Sequence, residues 1–197
     1  RSWVPDMEIT GMVIRHGEAF TIPDHLTVWD GEKAVYRPTV HYAYCPTDAA
    51  IASLRELEHR NWDLTENQRI MNDEIIDGND RLGVLLMGHP YKSWWTGSLL
   101  SIHDSRKLIP NQSATTVQVA SAVFAAVAWA VKNPDKGLLV PDDMPWREVL
   151  AYAEKYWGGF HSAPADWTPI DNRTDFFEGW NGKEYDSDPW QFSNFLV

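Results

Sequence analysis

A single cysteine, Cys45, stands in the 197 residues. An internal disulfide framework is therefore excluded, as is any paired-thiolate metal site, and a reducing cytoplasmic setting is the expectation. Basic residues are also scarce: 17 Lys and Arg face 28 Asp and Glu, leaving a net charge of −11. Nucleic acid needs a basic face, so it is not an expected partner, whereas a cationic ligand suits this balance. The chain lacks GxGxxG and the P-loop lysine motif, so it carries no recognisable nucleotide-binding half. There is no HExxH and no GxSxG. The seven histidines (16, 25, 41, 59, 89, 103 and 161) show no metal-ligand spacing, and no metal is expected. No secretory signal opens the chain. The one long uncharged stretch, "SATTVQVASAVFAAVAWAV" at 113–131, has a polar first half and reads as a buried core helix rather than a membrane span.

What is present is 44% hydrophobic and 13% aromatic, enough for one sizeable core. "EITGMVIR", "LTVWD" and "AVYRPTVHYAY" read as strands, with "DGEK" as a turn and Pro38 marking an edge or bulge. The period changes at "PTDAAIASLRELEHR", a helix starting at Pro46 or Thr47. "QRIMNDEIID" and "RLGVLLMG" around "GND" suggest a hairpin, "YKSWWTGSLLSIHD" a further strand, and "VPDDMPWREVLAYAEKYWGG" a helix preceded by Asp142 or Asp143. From Phe160 onward periodicity is lost, as in a wrapping tail. The expected class is α+β, a mixed or antiparallel sheet covered by helices. Residues 1–110 form its sheet part, and 111–197 its long helix, second helix and irregular tail.

Three groups can carry chemistry. In "MVIRHGEAFTI" at 12–22, an apolar run delivers His16 and Glu18 two residues apart, on one face if the segment is a strand. A carboxylate orients an imidazole for proton transfer and can itself bind an ammonium group, although on the residues alone a solvated strand end is the commoner reading of such a pair. "DEIIDGND" gathers Asp73, Glu74, Asp77 and Asp80. Its spacing is not that of an EF-hand, and a solvated hairpin tip accounts for it, unless the tip folds over a cleft to hold an ammonium end. Eleven tryptophans are many for this length. Trp94 and Trp95 beside Tyr91 offer cation–π faces, while core packing is the commoner role of any one Trp.

Several segments together resemble the later portion of the bacterial homospermidine synthases, relatives of the saccharopine dehydrogenases. They are "HGEA", "LTVWD", "YRPTVHYAYCPTDAAIASL", "DEIIDGNDRLGVLLMGH", "WWTGSLLSIHDSR", "NQSATTVQVASAVFAAVAWAVKNP", "ADWTP" and "DSDPWQFSNFLV". The resemblance runs from about Met12 to the C-terminus. It implies the C-terminal portion of a Rossmann-plus-substrate-domain enzyme that couples two putrescines to sym-homospermidine with release of ammonia. By the same resemblance, NAD is bound mainly by an N-terminal Rossmann portion absent here, the isolated chain is inactive, and the enzyme is a homo-oligomer. Carried over by position, His16 and Glu18 match the family's active-site His-x-Glu and are implied to be catalytic. Asp80 matches an acidic position near the amine site; Trp94 and Trp95 are added as substrate-binding candidates on chemistry alone. The rival readings are a saccharopine- or carboxyspermidine-type dehydrogenase, whose substrate carboxylate Arg15, Arg37 or Arg106 could clamp, and a non-catalytic polyamine-binding module. A carbohydrate-binding module built on the Trp faces is a third.

Overall fold

The computed structural model describes residues 1–173 and 184–197, so the part of the expected tail at 174–183 lies outside the described residues. The chain begins with β1 (Ser2–Val4), β2 (Met7–Ile9), β3 (Met12–Ile14), α1 (Glu18–His25), β4 (Val28–Asp30), β5 (Lys33–Tyr36), β6 (Tyr42–Tyr44) and α2 (Asp48–His59). It continues with β7 (Asn79–His89), β8 (Lys92–Ser101), α3 (Ile102–Leu108), α4 (Ala114–Lys132), α5 (Trp146–Ala153) and β9 (Phe160–Ala165). Every pairing among these strands is antiparallel, so the class is α+β as expected.

Two compact units share the chain. Unit 1 comprises Arg1–Ile9, Met71–Lys136 and Pro145–Val197; unit 2 comprises Thr10–Ile70 and Gly137–Met144. Residues 110 and 111, the expected boundary, both fall inside unit 1, because α4 packs on the sheet that precedes it.

In unit 1 the sheet order is β7-β8-β9. The hairpin joining β7 to β8 turns through Pro90 and Tyr91, well after the "GND" where a turn was expected. "QRIMNDEIID" is neither strand nor helix, since its carboxylates bond to nearby backbone instead: Glu74 accepts from the amides of Asn72 (2.7 Å) and Asp73 (3.1 Å). Gly83 and Gly97 face each other across the β7–β8 ladder, and the buried indole of Trp95 lies over both. A Cβ at Gly83 would stand 2.4 Å from that indole.

One face of α4 seals the sheet. Ala114 and Val117 pack on Leu100 beside Tyr156, and Gln118 Nε2 donates to Ser98 Oγ at 2.7 Å. Ser113 caps the helix by accepting from the Thr116 amide at 3.2 Å. The helix is nevertheless not the fully buried one expected, because Val119, Val123, Val127 and Val131, spaced by four, are exposed. By length and composition it is the one described helix that could cross a membrane.

The tail differs from expectation at its start. Phe160–Ala165 is the third strand, an edge strand that tolerates Pro164 opposite Trp94. Beyond it Trp167 is buried near Phe195, with their rings 6.1 Å apart. The helix after Pro145 has no side-chain cap, so neither Asp142 nor Asp143 serves that role.

In unit 2, "AVYRPTVHYAY" is broken into β5 and β6, with residues 37–41 irregular around Pro38. "EITGMVIR" is divided between the units: β2 pairs with β1 in unit 1, while β3 pairs with β6 in unit 2. Thr47 caps α2, accepting from the Ala50 amide at 3.2 Å.

The Gly83–Gly97 pair gives a direct test. Gly97→Ala places a Cβ 2.3 Å from the Leu82 carbonyl oxygen, and overpacking of this kind costs about 1–3 kcal/mol. Urea unfolding of the variant is expected to show a lowered midpoint, with fluorescence reporting the displaced Trp95.

Candidate active site

The His16–Glu18 pair is built by a strand-to-helix junction, where an extended strand was expected. β3 stops at Ile14, and Gly17 is already helical (φ −55°, ψ −43°), so Glu18 opens α1. The sequence hides this helix because it is only eight residues long and contains Pro23, which cannot donate to the helical ladder. The turn brings His16 and Glu18 together even so. Nδ1 of His16 is hydrogen-bonded to a Glu18 carboxylate oxygen, the arrangement expected of an Nδ1–H donor.

Tyr42 completes the group. It stands opposite Ile14 in the β3–β6 ladder, and its ring is stacked on His16 with centroids 4.5 Å apart and planes 19° from parallel. The sequence marks Tyr42 only as part of the expected strand "AVYRPTVHYAY". Only the pairing of β3 with β6 would have revealed it. Arg15 lies over the Phe20 ring at 5.3 Å.

The pair is open to solvent, with side chains 45% and 57% exposed for His16 and Glu18. Partial burial works to raise the Glu18 pKa, but hydrogen bonds from its own backbone amide and from His16, with the imidazolium charge, outweigh it and leave the carboxyl below its ordinary value. Such a carboxylate stays ionised while its partner imidazole exchanges protons.

The remaining candidates belong to unit 1. Asp80 is half-buried in β7, opposite Leu100. Trp94 is half-buried in β8 opposite Leu86, its Nε1 donating to Ser162 Oγ at 2.9 Å and Tyr91 meeting it edge-on at 6.2 Å. Asp80 and Leu86 are six residues apart along β7, about 20 Å, so Asp80 and Trp94 do not converge. Trp95 is buried over the glycine pair. Lys92, near Trp94, is held by Asp166 at 2.5 Å and Asp171 at 3.4 Å, which compensates its charge. His16 and Glu18 lie in unit 2. Among the described residues no three His, Cys, Asp or Glu side chains gather as a metal site.

The family model for the saccharopine dehydrogenase C-terminal domain matches residues 2–159. The chain belongs to that family. It is 42% identical over 200 residues to the homospermidine synthase of Blastochloris viridis, and 41% identical over 201 residues to that of Mesorhizobium japonicum. Both alignments take in the whole chain and 41% of the relative, so this chain spans less than half the length of either. A crystal structure of the Legionella pneumophila homospermidine synthase in complex with NAD superposes with a TM-score of 0.89 at 38% identity, over 98% of this chain and 42% of that one. The fold is thus that of the C-terminal portion of a homospermidine synthase.

The lowered Glu18 pKa sets the sign of a pH effect. Glu18 stabilises the folded chain above its ordinary value of 4.5, and that contribution is lost as pH falls through the lowered folded value. Thermal unfolding across acid pH is expected to show wild type ahead of Glu18→Gln near neutrality, with the gap closing as the pH drops below 4.5.

Proposed function

We propose that this chain is the C-terminal, substrate-handling portion of a homospermidine synthase, which couples two putrescines to sym-homospermidine and releases ammonia. The observation that carries the reading is the oriented His16–Glu18 pair in a chain 42% identical along its whole length to such an enzyme. The coupling is redox-neutral overall, and its hydride chemistry belongs to NAD. The residues here do not fit that cofactor. They include no glycine-rich phosphate loop, and the described sheets are antiparallel throughout, without the βαβ unit that seats a dinucleotide. NAD is therefore assigned to a Rossmann portion of the longer protein, and the isolated chain to an inactive state.

His16 and Glu18 have defined work in this scheme. A putrescine nitrogen must shed a proton before it can be oxidised or can attack, and His16 Nε2 is the acceptor. Glu18 keeps the imidazole oriented and balances its charge once protonated. Asp80, in unit 1, is a separate candidate carboxylate for an ammonium group, since burying an unpaired ammonium is very costly. Trp94 offers a half-buried aromatic face, whereas Trp95 is buried over the glycine pair and offers none. A cytoplasmic homo-oligomer completes the proposal, with neither nucleic acid nor membrane as partner; the charge of −11 favours the cationic substrate.

The saccharopine- or carboxyspermidine-type alternative needs a cation for the substrate carboxylate. All three of its candidate arginines are engaged: Arg37 is paired with Asp24 at 2.5 Å, Arg15 lies over Phe20, and Arg106 donates to the Asn72 carbonyl at 3.5 Å. A non-catalytic polyamine binder would bind without turnover.

Turnover separates these readings. The longer protein containing this chain, supplied with putrescine and NAD, is expected to form homospermidine, read by mass spectrometry. Loss of a positioned acid–base group typically costs about 10²–10⁴-fold, and Glu18→Gln and His16→Ala are expected in that range. Putrescine binding without product would replace the enzyme reading with the binding module, and absence of both would end the polyamine assignment.

A further inference from the structure

We infer that Tyr42 is a positioning residue for His16: its stacked ring fixes the imidazole plane so that Nδ1 stays on Glu18 and Nε2 is the nitrogen presented for proton transfer. The inference rests on the reading of His16 as the group that takes the substrate proton.

A hydrogen bond from Nδ1 holds one atom of the ring. It leaves the imidazole free to swing about the line joining Nδ1 to the carboxylate. The histidine χ2 torsion has no sharp minimum of its own to prevent this, since sp³–sp² torsions are broad. His16 is also nearly half exposed, so general packing does not hold it. The missing constraint is a plane, and Tyr42 supplies one at 4.5 Å and 19°. Aromatic pairs at this separation favour offset stacking, which restrains tilt more than it restrains sliding.

Tyr42 is well placed to act as a fixed reference. Its Cα is paired with that of Ile14, two residues before His16, so the backbone register between β3 and β6 sets where the phenol ring stands. Glu18 is set independently, by the first turn of α1. Two unrelated pieces of backbone thus hold the imidazole, one through an edge atom and one through its face. Among the described residues, the hydrogen-bonding partner of His16 is at Nδ1, which leaves Nε2 for a substrate nitrogen. A ring held in this way meets the angular tolerance that proton transfer requires, whereas a swinging one spends most of its time misaimed.

Long-range proton–nitrogen correlation spectra of the 197-residue chain read the His16 tautomer directly. The wild type and Tyr42→Phe are expected to be predominantly Nδ1-protonated, with His16 ring protons shifted upfield by the neighbouring ring. Tyr42→Leu, which keeps bulk but removes the plane, is expected to fall to the tautomer mixture of a free histidine while the β3–β6 amide signals persist. A native-like Tyr42→Leu that keeps the Nδ1-protonated form would overturn the inference. Should Tyr42→Leu fail to fold, the wild-type ring-current shift decides: its absence sinks the stack, and its presence together with an unchanged Tyr42→Phe sustains it.

In the longer enzyme, Tyr42→Leu is expected to lower kcat on the order of 10- to 100-fold with KM little changed, and Tyr42→Phe to restore it. A parallel loss in KM would mark a merely structural role. The two ideas fail separately. A tautomer shift in Tyr42→Leu alongside full activity in His16→Ala would remove the proposed function and leave the positioning intact. An unchanged tautomer alongside an inactive His16→Ala would do the reverse.

Discussion

Close backbone approach between β7 and β8 is the constraint on which unit 1 depends. Two glycines face each other there so that the Trp95 indole can lie over both. Strand β8 is paired on both edges, and its alternate residues turn Trp95 to one face and Ser98 and Leu100 to the other. That alternation seats α4, whose Val117 and Gln118 meet Leu100 and Ser98. Inside this layer Gln118 Nε2 is satisfied by Ser98, whereas its buried Oε1 has no partner among the described residues, so the amide is only half compensated. Ser121 continues the same layer, receiving Trp157 Nε1 at 2.8 Å and donating to the Gln118 carbonyl at 2.7 Å. Register is thereby specified by polar pairs as well as by apolar bulk.

Unit 2 is built with far less. Its strands are three or four residues long, and most of their side chains are half-exposed or exposed. Short, open elements of this kind carry functional side chains without committing them to a core. The His16 group is an instance: β3 delivers the histidine, α1 the carboxylate and β6 the tyrosine, each from an end or edge. Such a site depends on backbone placement more than on burial. An exposed ion pair contributes little to stability, so holding the imidazole falls to geometry.

Several candidates changed character when placed in space. The acidic run at 73–80 reads as a metal or ammonium site when only its charges are counted. In the structure Glu74 turns back on the amides of Asn72 and Asp73, and Asp77 accepts from the Gly78 amide at 2.8 Å, which makes residues 73–78 a loop that satisfies these two carboxylates, while Asp80 stands apart in β7. Trp94 and Trp95 are adjacent in sequence and opposite in environment, since a strand sends neighbours to opposite faces. Composition could not say which of the two would be covered.

The sequence by itself determined the α+β class, the two long helical periods, the turn at "DGEK" and the pairing of an imidazole with a carboxylate two residues on. These are local properties, decided by propensity, capping chemistry and spacing within a dozen residues. The tertiary structure alone decided the rest. It split "EITGMVIR" between two sheets, turned "HGEAF" from strand to helix, recruited Phe160–Ala165 as an edge strand, left half of α4 uncovered and set Tyr42 against His16. Each of these rests on which distant segment supplies the hydrogen bonds or the packing surface. A period of two or of 3.6 is silent about that choice, because a strand reads the same whichever neighbour it pairs with.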